Sequence, residues 1–177
     1  MASIIKANQL QDFGGNSILT SDGAGNLTTQ KINYPAFYAR KTSAQTLTTN
    51  TYTKITFDSE IFDTDSAYGS DKFTVPAGKA GKYFIGAVLW CDANAVTNFS
   101  YANISLYKNG SEQVNLVMDH RNNYTLQNSL NLTYVGDLSV GDYLEVYGRI
   151  SDTSGSPQVN GNSSLDFTYF YGYRIGS

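Results

Sequence analysis

At 177 residues the chain has room for one domain and a short extension, with only 15% charged residues and a formal net charge of −3. It has no run of Lys or Arg, which argues against a nucleic-acid binder, because phosphate contacts need clustered cations. No apolar stretch of about 18 residues is present to insert in a membrane, and a single cysteine, Cys91, excludes an internal disulfide framework. Fourteen tyrosines and nine phenylalanines favour a β protein rich in aromatic cross-strand pairs.

In chain order, Met1-Ala2-Ser3-Ile4-Ile5-Lys6 lacks a basic segment followed by an apolar one, so no secretory signal is predicted. Asn8 to Asn16 is polar and turn-rich. Ser17-Ile18-Leu19-Thr20 and Asn26-Leu27-Thr28-Thr29 then flank Asp22-Gly23-Ala24-Gly25, which predicts a small hairpin. Residues 1–33 hold too few apolar side chains to fold alone, since an isolated hairpin is marginal in water. They read either as a flexible terminus or as a docking arm that orders on a larger body. Asn33-Tyr34-Pro35 marks the boundary with residues 34–177.

After it come short strand candidates separated by turns, the spacing of a sandwich. They are 36–41, 52–57, 61–62, 72–75, 82–91, 104–108, 114–118, 130–135, 143–150 and 165–175, about ten strands in all. Asn109-Gly110 is a turn dipeptide suited to positive φ. Tyr143 to Arg149 alternates, placing Leu144 and Val146 inward and Glu145 and Arg149 outward. Asp152 to Ser164, full of Ser, Gly and Asn, predicts a long exposed loop.

Two segments break the alternation. In Gly81 to Trp90, Tyr83, Ile85, Ala87 and Leu89 point one way, and Phe84, Val88 and Trp90 the other. Phe167-Thr168-Tyr169-Phe170-Tyr171-Gly172-Tyr173 is also aromatic on both faces. Strands covered on both sides normally lie under helices, yet no stretch has helical periodicity. A second sheet on one side and a sister subunit on the other account for the pattern, with the two segments side by side at an interface.

On that strand map, residues 34–177 resemble a C1q-type domain, the jelly roll shared with the tumour necrosis factor superfamily. Phe57, Asp63 and Tyr68 stand in the family's register, Gly81 and Tyr83 match its Gly-x-Tyr element, and Lys108-Asn109-Gly110, Gly141-Asp142 and Phe170-Tyr171-Gly172-Tyr173 follow in order. Phe73 falls two residues early, and Ile85 and Ala87 stand where aromatics are usual. Ile4 to Asp12 and Gly25 to Thr29 look like the N-terminal leader of small virion proteins in marine tailed phages. There is no Gly-X-Y run of the kind that precedes animal C1q domains. The resemblance implies an all-β, ten-strand C1q/TNF-like jelly-roll sandwich behind an N-terminal extended arm, assembled as a tight homotrimer. It transfers architecture rather than a ligand site.

Few residues invite chemistry. His120 is the one histidine, with no Gly-x-Ser-x-Gly elbow to serve, and reads as a strand-end or turn residue. Cys91 has Asp92 beside it, which opposes a thiolate. Acidic residues run from Asp58 through Glu60, Asp63 and Asp65 to Asp71, but the twelve-residue calcium-loop pattern is absent. Solvated loop carboxylates explain the stretch, and Asp63 reads as a turn residue. Tyr101, Tyr124 and Tyr134 lie near Asn-rich segments where sugar stacking competes with plain packing. No catalytic residue, metal site or cofactor is expected, and the protein does not read as an enzyme.

The resemblance therefore implies a structural virion surface protein of a tailed phage. The options are a capsid decoration knob, a short head fibre or a tail-fibre tip, on the virion surface after synthesis in the host cytoplasm. The trimer interface is assigned to Tyr83, Phe84, Trp90, Phe167, Tyr169, Tyr171 and Tyr173. Docking on another virion protein is assigned to Ile4, Ile5, Leu10, Phe13, Ile18, Leu19 and Leu27. A host surface glycan is a further possible partner, through loops the sequence does not identify. The alternative is a soluble lectin-like C1q-domain protein that binds glycans.

Overall fold

The computed structural model describes residues 7–29, 35–94, 99–122, 124–152 and 156–176. The chain divides into two compact units, Met1–Tyr34 and Pro35–Ser177. In the first, β1 (Gln9–Gln11), β2 (Ser17–Ser21) and β3 (Leu27–Thr29) form an antiparallel sheet in that order. The turns are built from aspartates that accept backbone N–H groups. Asp12 Oδ1 accepts from Asn16 N at 2.8 Å and Asp22 Oδ1 from Ala24 N at 2.8 Å. The predicted hairpin is β2–β3; the polar segment before it adds a third strand.

The second unit contains no helix among its described residues and folds into two packed antiparallel sheets. One contains β4 (Ala36–Arg40), β5 (Gln45–Thr46), β7 (Ser59–Asp63), β10 (Gly81–Asp92), β13 (Gln127–Leu138), β15 (Gln158–Asn160) and β16 (Tyr169–Gly176). Its order is β5-β15-β10-β16-β4-β7, with β13 along the other edge of β10. The second sheet runs β12 (Ser111–Asp119), β11 (Phe99–Lys108), β14 (Tyr143–Asp152), β9 (Lys72–Thr74) and β8 (Tyr68–Gly69), with β6 (Thr53–Lys54) also on β14.

Alternation supplies the core. Tyr83, Ile85, Ala87 and Leu89 of β10 and Phe170 of β16 meet Ile104 and Leu106 of β11 and Leu144, Val146 and Ile150 of β14 between the sheets. Phe37 stacks on Phe73 at 4.8 Å across this layer, and Phe73 lies 5.4 Å from Tyr83. Each fully buried side chain of this size contributes about 1.5–3 kcal/mol.

Several sequence expectations change here. The strand read at 52–57 is regular only at β6, with one further bond to β14 from Ile55 N to Val146 O at 2.9 Å. The segment Asp152 to Ser164, read as an exposed loop, contains β15, whose Val159 is buried in the core. Leu165 to Thr168 precede the final strand rather than belonging to it.

Two turns named separately in the sequence meet in space. Asn109 and Gly110 adopt φ of 53° and 78°, the two left-handed positions of a tight β11–β12 hairpin. Asn109 Oδ1 accepts from Tyr143 N at 2.9 Å, and its Nδ2 donates to Asp142 Oδ1 at 2.7 Å. Asp142 Oδ2 also accepts from Ser139 N and from Lys108 Nζ, each at 2.8 Å. This cluster ties the β11–β12 turn to the β13–β14 turn.

Candidate functional site

The outward face of the β10 sheet is a run of aromatic rings. Phe84 of β10, Tyr169, Tyr171 and Tyr173 of β16, Tyr38 of β4 and Phe62 of β7 all project from it. Tyr38 lies 5.6 Å from Tyr169, 6.2 Å from Tyr171 and 6.1 Å from Phe62, while Phe84 lies 6.2 Å from Tyr171 and 5.4 Å from Tyr173. Such pairs offer apolar area with hydroxyl handles at their tips. Phe62 and Tyr173 remain 48% and 46% exposed, and Val135 and Ile175 extend the apolar surface.

The register explains the row. Gly86 faces Tyr171 on one side and Thr133 on the other. Without a Cβ there, the Tyr171 ring lies across the strand. Further along, Trp90 stacks on Phe167 at 4.9 Å. Polar groups border the row. Tyr38 donates its hydroxyl to Asp166 Oδ2 at 2.8 Å, and Arg40 Nη1 donates to Asp166 Oδ1 at 3.0 Å. These bonds, Tyr38's first, hold Asp166 below the usual carboxylate range, whereas burial and then Asp166 push the Tyr38 phenol upward. Burial opposes ionisation of Asp92 at the far end of β10. The backbone N–H of Asn94 and the amides of Asn160, Gln127 and Gln158 outweigh it and leave the carboxylate below its usual range.

Of the residues assigned to a trimer interface, Phe84, Trp90, Tyr169, Tyr171 and Tyr173 project from this face, and Phe167 reaches it through Trp90. Tyr83 does not. It is fully buried between the sheets, donates its hydroxyl to Lys79 O at 2.6 Å, and its phenol is pushed up to about 12 by burial. Tyr38, Phe62, Val135 and Ile175 were not anticipated, and Val88 was placed on this face by alternation without being assigned to the interface. Alternation around Tyr38 and Val88 was readable, but the pairing of β4 with β16 was not.

In the first unit Leu10, Phe13 and Ile18 are exposed and Leu19 is half-buried. Leu27 lies on β3, and Ile4 and Ile5 lie outside the described residues.

The remaining candidates are occupied structurally. Cys91 is buried, and burial pushes its thiol well above the ordinary range. His120 Nε2 is 2.7 Å from Asn128 Nδ2, and its ring centroid is 5.7 Å from that of Phe99. Asp63 is a turn residue whose Oδ2 accepts from Tyr68 N at 2.7 Å. Asp58 accepts from Thr42 N and Ser43 Oγ, and Asp71 from Phe57 N. No group of three or more metal-ligating side chains gathers among the described residues. Tyr134 packs against the core, Tyr124 is exposed, and Tyr101 lies on the opposite sheet.

These layers define a jelly-roll sandwich of the C1q and TNF type. The globular domain of zebrafish complement 1qA superposes with a TM-score of 0.54 at 16% identity, over 80% of this chain and 98% of that one. Murine APRIL superposes with a TM-score of 0.55 at 12% identity, over 81% and 100%. No protein-family model and no curated protein matches the chain.

Proposed function

We propose that the chain is a non-enzymatic structural protein that closes into a homotrimer through the aromatic face of the β10 sheet. In this reading it stands on the surface of a tailed-phage particle, seated through residues 1–33. The observation that carries it is the row Phe62, Tyr38, Tyr171, Phe84 and Tyr173, apolar and continuous with exposed Val135 and Ile175. Surfaces of this kind mark protein contacts. A second copy fits better than a foreign partner because the row is uncharged and because residues 34–177 resemble a trimeric domain class. An obligate interface buries roughly 2,000 Å² or more, which an extended sheet face can supply.

The phage assignment rests on the leader resemblance. It is supported by exposed Leu10, Phe13 and Ile18 on a small sheet with little apolar surface of its own. Attachment as a capsid knob, a short head fibre or a fibre tip follows from such a seat. Three heads per particle site would multiply weak contacts with a host by effective concentration.

The test has two arms. Light scattering on the purified protein should give three times the chain mass, and a monodisperse monomer would refute the assembly. Immunogold labelling of particles should mark the virion surface, and Phe13→Glu should abolish incorporation while leaving the trimer intact. Unlabelled particles would refute the virion role.

A further inference from the structure

The opposite sheet turns a different chemistry outward. Tyr101 and Asn103 on β11, Val117 and Asp119 on β12, Arg149 on β14 and Arg121 just past β12 line a depression of about 250 Å³. Register brings these residues together: Asn103 lies between Val117 and Arg149, and Tyr101 lies opposite Asp119.

Two groups there lack their natural complement. The Arg149 guanidinium lies 5.3 Å from the Tyr52 ring centre and 5.2 Å from that of Tyr101. Its Nε donates to Asn50 Oδ1 at 3.0 Å, and its Nη2 donates to the same oxygen and to the Tyr101 hydroxyl, the latter at 2.6 Å. All these acceptors are neutral. Among the described residues no carboxylate pairs with Arg149, and its Nη1 has no partner. Arg121 differs, because Asp119 grips it through both carboxylate oxygens and cancels its charge. Asn103 is 4% exposed and donates Nδ2 to Asn115 Oδ1 at 2.9 Å. Its Oδ1, buried in the floor, has no hydrogen-bond partner among the described residues. A buried acceptor of this kind calls for a donor.

The ligand that completes the site must bring an anionic oxygen for Arg149 and a hydroxyl for Asn103. Sulfate brings only acceptors, and a neutral sugar leaves Arg149 uncompensated. We infer that the depression binds a carboxylated sugar residue of the uronic-acid type. Its carboxylate sits on Arg149, one hydroxyl donates to Asn103 Oδ1, and its C–H face rests on exposed Val117. The inference does not depend on the trimer or the virion, because the aromatic row lies on the other sheet.

Calorimetric titration of the full chain with trigalacturonate, maltotriose and inorganic sulfate tests it. Trigalacturonate should bind saturably and about tenfold or more tighter than either control, the scale of one charge-assisted hydrogen bond. Arg149→Gln should remove that preference. Val117→Glu, a change at a lip residue 61% exposed, should weaken trigalacturonate about tenfold by like-charge repulsion. Equal binding of maltotriose or sulfate overturns the proposal, and so does a Val117→Glu variant that binds as well as the parent. A monomer that still takes trigalacturonate would sink the assembly reading alone.

Discussion

The ring of Tyr171 lies across Gly86, its register partner on the neighbouring strand, where a Cβ would collide with the ring's Cε1, Cζ and hydroxyl. Gly86→Ala should displace that ring from the centre of the aromatic row. The clash is with the tip of a half-buried side chain that can swing aside, so the cost should fall below the ~1–3 kcal/mol of overpacking a closed core. Calorimetry should therefore show a lower melting temperature, and light scattering a reduced trimer fraction. An unchanged melt and mass would mean that the ring has another resting place.

Tyr171 and Tyr83 should separate assembly from folding. Tyr171→Glu leaves the core untouched and forfeits ring contacts worth about 0.5–1.5 kcal/mol each, so the variant should fold, by circular dichroism, yet run as a monomer. Tyr83→Phe removes the bond to Lys79 O and should cost about 0.5–1.5 kcal/mol in urea unfolding without changing the mass of the assembly. A Tyr171→Glu variant that remains trimeric would rule the β10 face out as the contact.

Acid should loosen the joint between the two turns. The Lys108 ammonium, with help from Asn109 and Ser139, holds the Asp142 carboxyl down to about 2 from its usual 3.8. A depressed folded-state pKa contributes stability that is fully present above about 4 and is lost as pH falls toward about 2. Urea unfolding across that window should show a shallower loss for Asp142→Asn than for the parent. The two variants should differ most near neutral pH. Parallel curves would show that the carboxylate is not coupled to folding.

Cys91 should be inert while the protein is folded. Its side chain is buried between the two sheets, and its thiol is pushed up by burial first and by Asp92 second. A chromogenic disulfide reagent at pH 8 should leave the native protein unreacted over minutes and titrate one thiol on adding denaturant. Fast native reaction would place the β10 end of the sandwich in frequent local opening.

What could be read from the chain was local. The double-sided apolar character of Gly81 to Trp90 and Phe167 to Tyr173 was visible in composition, and β10 and β16 are indeed neighbours. Asn109-Gly110 declared its turn through backbone preference alone. Pairings between distant segments left no trace: Tyr38 lies opposite Tyr171 because β4 pairs with β16. Val159 was hidden in a run of Ser, Gly and Asn, since one apolar residue carries no period. The Arg149 cluster draws on Asn50, Tyr52 and Tyr101, three positions whose proximity is fixed by β14 pairing with both β6 and β11. Tyr83 shows the limit of composition: an aromatic residue in a two-faced strand belongs to whichever face parity assigns it.

The changeover on β10 has a further consequence. One edge of that strand pairs with β16 over Lys82–Val88 and with β15 over Trp90–Asp92, and the Thr168 hydroxyl accepts the Trp90 N–H at 3.0 Å in between. A side chain thus supplies an acceptor at the step between the two neighbouring strands. The stretch from 161 to 167 is fastened to the neighbouring strand and to Trp90: Asn162 N donates to Lys41 O, Asp166 accepts from Tyr38 and Arg40, and Phe167 stacks on Trp90. A peptide inserted there would disturb the aromatic face along with the switch between strands.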